Sequence, residues 1–165
     1  RTIVFDIFPA EAGGGYYYDF TRTWCLGYAP EKVQKAYEQV VKVYDTVVSE
    51  LEVNVNAAKF QARTCELFED MGHKTIRQDP RIEEGYIHSL GHGLGLNVHE
   101  KPFFGRKEDP TNILQVGSVF TIEPGLYYPD QDFGIRVEDT WYVKEDGSFE
   151  KFVDFPRDLV LPMKG

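Results

Sequence analysis

The chain has 165 residues, 42% of them hydrophobic and 15% aromatic, enough apolar material for one globular domain with a real core. Its 27 carboxylates outnumber 18 Lys and Arg, for a formal net charge of −9, and no basic stripe gathers the cations, which argues against nucleic acid as a partner. No apolar run reaches membrane-spanning length or has the form of a signal peptide, so no membrane partner is expected and a cytoplasmic setting is.

Residues 2–8 are rich in Ile, Val and Phe and read as a strand. A Pro-Ala-Glu-Ala-Gly-Gly-Gly connection leads to "YYYDFTRTWC", whose aromatic and β-branched residues predict a second strand and an antiparallel hairpin. Arg1, not Met, opens the chain directly in strand-like sequence, so it reads as a portion of a longer protein. Pro30 opens a helix, with Val33, Ala36, Tyr37, Val40, Val41, Tyr44, Val47, Val48 and Leu51 as its apolar stripe. Asn56 is placed to cap a second helix running to about Met71 and closed by Gly72.

Residues 73–85 read as loop, with His73 expected at the surface. After a histidine-rich stretch, Pro102 is expected to end regular structure. "GSVFTIEPGLYY" and "FGIRVEDTWYVKEDG" predict another strand pair, followed by a last strand from about Phe149 to Phe155. Strand pair, helices, strand pair makes an α+β domain over residues 1–165. Cys25, in a strand, and Cys65, in a helix, are expected as buried free thiols in a reducing compartment.

Three of the four histidines, His88, His92 and His99, fall in "HSLGHGLGLNVHE", residues 88–100. "GHGLG" only faintly resembles a phosphate-cradling turn, since no Walker lysine follows. No HExxH helix is present, and Ser89 has no nucleophile elbow around it. Glycines beside a histidine let backbone pass close to a ligand.

The first hairpin carries Asp6 and Asp19, the second Glu123 and Glu138, each in an apolar setting where burying a carboxylate is costly. Any one of them could stand on an exposed strand face. Four together, paired two and two, with an imidazole available, point instead to a pair of divalent cations. Arg136 lies on the same strand face as Glu138 and could brace it, bind a substrate carboxylate or form a plain salt bridge.

"FDIFP", "YDFTRTW", "HSLGHGLGLNVHE", "TIEPGLY" and "GIRVEDT" follow one another between Phe5 and Thr140. In that order they resemble the pita-bread-fold metallopeptidases, the group of methionine aminopeptidase, aminopeptidase P and prolidase. The H-x-x-G-H-G-x-G-L-x-x-H-E form and "TRT" look more like the proline-specific branch. The resemblance implies a curved antiparallel sheet with covering helices, here lacking its N-terminal helices and any N-terminal domain. It implies metal ligands Asp6, Asp19, His92, Glu123 and Glu138, with Asp19 and Glu138 shared between two ions. Manganese suits this oxygen-rich set, and cobalt, zinc or iron would fit it.

By the same resemblance Glu123 would act as general base and His99 would stabilise the tetrahedral intermediate. His88, Tyr127 and Arg136 would lie against the substrate. The implied activity is hydrolysis beside proline through a metal-bridging hydroxide, by an Xaa-Pro aminopeptidase or dipeptidase. A homodimer, or association with the missing N-terminal part, is implied as well. The Asp6–Asp19 spacing is longer than the family's, and the glycine loop can absorb the surplus. A pita-bread binding module, or creatinase-like hydrolysis without metal, would be expected to lose ligands that are intact here. A methionine aminopeptidase-like exopeptidase fits the motif form less well.

Overall fold

In a computed structural model, which describes residues 1–105, 107 and 109–163, the first hairpin forms as the sequence predicts. β1 (Ile3–Ile7) pairs antiparallel with β2 (Phe20–Leu26), placing Asp6 opposite Thr21. The second strand starts at Phe20, beyond the tyrosine run. Gly13 and Gly14 take φ of +95° and +104°, and the Tyr17 N–H is drawn away to the carbonyl of Gly95 at 2.8 Å.

α1 (Glu31–Ser49) has Pro30 just outside its first turn, where the absent N–H costs nothing. Its buried face runs Val33, Ala36, Tyr37, Val40, Val43, Tyr44 and Val47, so Val43 joins the predicted stripe. Val41 and Val48 only flank it. β3 (Val55–Asn56) leads into α2 (Ala58–Asp70). The N-cap of that helix is Ala57, one residue later than expected, while Asn56 supports the first turn from outside, its Oδ1 accepting from the Ala58 N–H at 3.0 Å. At the other end Gly72 sits at φ +87°, its N–H on the Glu69 carbonyl, and the His73 N–H reaches the Phe68 carbonyl. That pattern is the Schellman closure for which a glycine is best suited.

β4 (His92–Gly93), β5 (Glu100–Phe103), β6 (Ile113–Leu114), β7 (Val119–Ile122), β8 (Gly125–Tyr128), β9 (Phe133–Arg136), β10 (Asp139–Val143), β11 (Phe149–Lys151) and β12 (Val160–Leu161) follow, with one 3₁₀ turn, Pro129–Gln131, between β8 and β9. The main sheet has the order β11-β10-β7-β4-β5, and in a second sheet β2 lies between β1 and β12, which runs parallel to it. β3 pairs with β6. α1 packs on α2 and on the β8–β9 ribbon, over one continuous apolar core. Antiparallel pairing dominates, and the domain is α+β as predicted. Among the described residues no helix is long and apolar enough to cross a membrane.

Several expectations are corrected. Pro102 does not end regular structure: it lies inside β5, the edge strand of its sheet, where a missing N–H breaks no ladder. The second strand pair is a long hairpin broken in the middle, β7 pairing with β10 and β8 with β9. Pro124 cannot donate to the ladder, so the chains bend there and at Val137–Glu138. β11 ends at Lys151, earlier than the predicted last strand, and β12 was not anticipated. His73 is no surface residue. It is half-buried, Nδ1 lies 2.5 Å from the Tyr128 hydroxyl and Nε2 3.1 Å from Gln39 Oε1, and burial lowers its pKa. Cys25 and Cys65 are free and buried, as expected, and burial raises both thiols above their usual range.

An ion pair between Arg22 on β2 and Asp139 on β10, each side chain 1% exposed, links the two sheets. Arg22 Nη2 donates to Asp139 Oδ1 at 2.6 Å, and Nη1 to the carbonyls of Thr21 and Glu138 at 2.9 and 2.7 Å. The Tyr44 hydroxyl donates to Asp139 Oδ2 at 2.7 Å and accepts from Trp141 Nε1. This network ties α1 to β10 and β2, and it fixes the backbone at Glu138.

Candidate metal centre

Every candidate named from the sequence lines one cleft of about 700 Å³. Asp6 comes from β1, Asp19 from the residue before β2, and His92 opens β4. Glu123 follows β7 and Glu138 precedes β10, so both stand where the long hairpin bends. The bends are pinned by backbone: the Glu123 N–H donates to the Leu90 carbonyl at 2.8 Å, and the Glu138 N–H to that of Thr21 at 3.1 Å.

The glycines beside His92 serve a tighter purpose than giving a ligand room. A Cβ at Gly91 would collide with the Thr121 carbonyl, and one at Gly93 with the backbone of Lys101. Only glycine lets this segment thread between β7 and β5.

Ligand atoms of Asp19, His92 and Glu138 all lie within 4.8 Å of one another. His92 Nε2 is 3.6 Å from Asp19 Oδ2 and 3.5 Å from Glu123 Oε1. His92 Nδ1 donates to the Gly93 carbonyl at 3.1 Å, which leaves the Nε2 lone pair facing the carboxylates. Thr21 Oγ1 donates to Glu138 Oε2 at 2.5 Å. Asp19 Oδ1 is buried and has no hydrogen-bond partner among the described residues. An orphaned buried carboxylate oxygen, converging with an imidazole lone pair and further acids, is a donor set suited to a divalent cation.

The four carboxylates are not equally enclosed. Asp19 and Glu138 are buried and Glu123 nearly so, but Asp6 is exposed. Asp6 pairs with the Arg136 guanidinium. Arg136 therefore braces Asp6 in the first place, staying 3.9 Å from Glu138 and 4.0 Å from Glu123. It also donates to the Tyr127 hydroxyl and to Thr21 Oγ1, both at 3.0 Å. Burial opposes its charge, but Tyr127, Glu138 and Glu123 outweigh this and raise its pKa.

On the other wall, His88 Nδ1 donates to the Ser89 carbonyl at 2.7 Å and Nε2 accepts from the Tyr127 hydroxyl at 3.0 Å. Burial lowers the His88 pKa to about 4, so it is neutral at physiological pH. His99 stands exposed, its ring edge-on to that of His92 at 4.3 Å between centroids. Phe8, Ile87, Val98 and Phe103 add an apolar lining.

Sequence reasoning passed over three residues of this cluster. Thr21 holds Glu138, and Thr121 Oγ1 sits 3.3 Å from Glu123 Oε1 while accepting from the His92 N–H at 3.1 Å. Gln61 lies behind the histidine segment. Only "TRT" carried a signal, its two threonines sharing a strand face with each other.

Without cations these acids resist ionisation. Burial and then the charge of Asp6 push Asp19 up to about 7. Burial, opposed by Arg136 and reinforced by Asp19, pushes Glu123 up to about 8. Burial, then Glu123 and Asp19, holds Glu138 well above the carboxylate range. A carboxyl whose pKa is raised on folding adds stability below its unfolded value of about 4, and loses it as pH rises through the folded value. Metal-free protein is thus expected to melt several degrees lower at about pH 8.5 than at about pH 5. Added Mn²⁺ should restore the loss at the alkaline end. Thermal melts in chelator that rise steadily with pH would contradict this.

Residues 2–145 match the model of metallopeptidase family M24. An uncharacterized peptidase of Methanocaldococcus jannaschii is 38% identical over 151 residues, covering 88% of this chain and 40% of its own length. The Xaa-Pro dipeptidase of Pyrococcus furiosus is 33% identical over 133 residues, covering 81% of this chain and 35% of its own length. The crystal structure of recombinant prolidase from Thermococcus sibiricus superposes with a TM-score of 0.81 at 31% identity, over 98% of this chain and 40% of that one. The chain thus spans about two fifths of the length of the curated relatives it matches.

Proposed function

Because the chain belongs to metallopeptidase family M24 and has the pita-bread fold of its prolidases, we propose that it carries the metal centre of an exopeptidase cleaving beside proline. The orphaned Oδ1 of Asp19, inside the cluster with His92 and Glu138, is the observation that supports this most. Asp19 and Glu138 would be shared between two divalent cations, with His92 and Glu123 holding one and Asp6 the other. Manganese suits this set best, while cobalt, zinc or iron would also fit.

Bound cations would polarise the scissile carbonyl and bring a water to ionise near neutral pH. Glu123 is placed to take the proton of the attacking water and return it to the leaving amine. His99, at the cleft mouth, would donate to the oxygen on which charge develops. His88 stays neutral, its Nε2 engaged by Tyr127, so that wall of the cleft adds no positive charge against a substrate amine. Arg136 pairs with Asp6 and holds it in place. The apolar lining from Ile87, Val98 and Phe103 suits a pyrrolidine ring, and similar proteins carry names such as Xaa-Pro dipeptidase and X-Pro aminopeptidase.

The test uses the full-length protein, stripped with chelator and then resupplied with Mn²⁺, on Xaa-Pro dipeptides and longer Xaa-Pro peptides. Hydrolysis that requires metal and prefers proline is expected. Undiminished hydrolysis after chelation would overturn the proposal, and cleavage after Met with no proline preference would redirect it to methionine aminopeptidase-like action.

A further inference from the structure

We infer that Gln61, on α2, is a positioning residue that fixes the two cleft segments bearing His88 and Glu123. Its side chain is almost fully buried, at 1% exposure. Oε1 accepts from the Leu90 N–H at 2.6 Å and from the Tyr86 hydroxyl at 2.8 Å. Nε2 donates to the His88 carbonyl at 3.3 Å. One planar amide therefore grips the backbone on both sides of Ser89, adding to the backbone contacts of Leu90 and Gly91 with Phe104.

Each grip reaches a functional group. Leu90, held at its N–H by Gln61, offers its carbonyl to the Glu123 N–H at 2.8 Å. Tyr86, held at its hydroxyl, sets its ring against that of His88 at 5.5 Å between centroids. The imidazole is thus fixed through its own backbone and through its ring neighbour. None of the residues hydrogen-bonded to Gln61 is itself assigned to the metal, and Glu123 is reached only at second hand through the Leu90 carbonyl, so metal content is measured alongside kcat.

The chemistry admits few substitutes. An acceptor and a donor must lie in one rigid plane at the end of a two-methylene stem. Methionine matches the length but has neither, and would leave the Tyr86 hydroxyl unsatisfied in the interior and the Leu90 N–H to its longer contact with the Phe104 carbonyl at 3.3 Å. Asparagine keeps the amide but falls one methylene short of bridging His88 and Leu90. A displacement of about 1 Å in a reacting group is enough to lower turnover about 100-fold.

The catalytic content of this inference rests on the peptidase reading above, so the experiment carries one readout that does not. In Mn²⁺-loaded full-length protein, Gln61→Met and Gln61→Asn are expected to lower kcat about 100-fold, with KM within about threefold and metal content unchanged. In parallel, ¹⁵N spectra of the imidazoles should show His88 as a single Nδ1–H tautomer in the native protein and as a mixture in both variants. Gln61→Asn costs only one buried methylene, so it remains readable should Gln61→Met fail to fold. Wild-type kcat with an unchanged His88 signal in either variant would overturn the inference, as would a kcat loss matched by a loss of metal. If the native protein cleaves no Xaa-Pro bond, the peptidase reading fails on its own. The His88 spectrum then decides, a mixture supporting the positioning role and an unchanged tautomer removing it.

Discussion

Glu123→Gln is expected to lower kcat by at least about 10³-fold while leaving the fold intact. Gln is nearly isosteric with Glu and would keep the position set by the Glu123 N–H on Leu90. What it removes is the proton acceptor, and with it one anionic donor 3.5 Å from His92 Nε2. The stability effect should run opposite to the catalytic one. In metal-free protein burial, opposed by Arg136 and reinforced by Asp19, pushes the Glu123 pKa up to about 8, and a neutral amide relieves that conflict. The variant should therefore melt at or above the wild-type temperature in chelator at about pH 8. Kinetics and melts on the same preparation separate the two. Turnover within tenfold of wild type would remove Glu123 from the base role, whatever the melts show.

Asp139→Ala is expected to be the most destabilising single change outside the cleft, at about 3–5 kcal/mol. Arg22 and Asp139 are both essentially inaccessible, and alanine would leave the guanidinium buried without its counter-charge. The Tyr44 hydroxyl would lose its acceptor at the same time. Against a total stability of roughly 5–15 kcal/mol, a loss of this size is a large fraction of the whole. Asp139→Asn keeps an oxygen for Arg22 Nη2 but removes the charge and turns an amide N–H₂ toward the Tyr44 hydroxyl, so its cost should be smaller than that of alanine yet still well above a surface change. Urea unfolding of both variants would check the order. Equal, small shifts would mean that the pair is dispensable and that the backbone of Thr21 and Glu138 is held by other contacts.

Where one physical signal dominated, the sequence was readable. Pro30, Asn56 and Gly72 marked helix boundaries because cap and left-handed positions have few competitors among residue types. The cleft was readable because carboxylates in apolar strands and clustered histidines are conspicuous, and every residue so chosen lines it. What escaped depended on partners distant in sequence. Pro102 within β5 is explained by the strand's edge position, and the break in the second hairpin by where Pro124 falls in the ladder. The exposure of Asp6 follows from the edge position of β1 beside β2, and its engagement with Arg136 from a contact across the cleft. β12 is two residues long and exists only through its pairing with β2. Gln61 is one glutamine among ordinary helical residues, and only the folded segment from Tyr86 to Leu90 gives it meaning.

The most direct measurement is anomalous diffraction at the manganese edge from crystals of the full-length protein grown with excess Mn²⁺. Two adjacent peaks are predicted, both within bonding reach of Asp19 and Glu138, one also held by His92 and Glu123 and the other by Asp6. A lone peak, or density remote from Asp19, would contradict the reading of these acids as a shared cradle for cations.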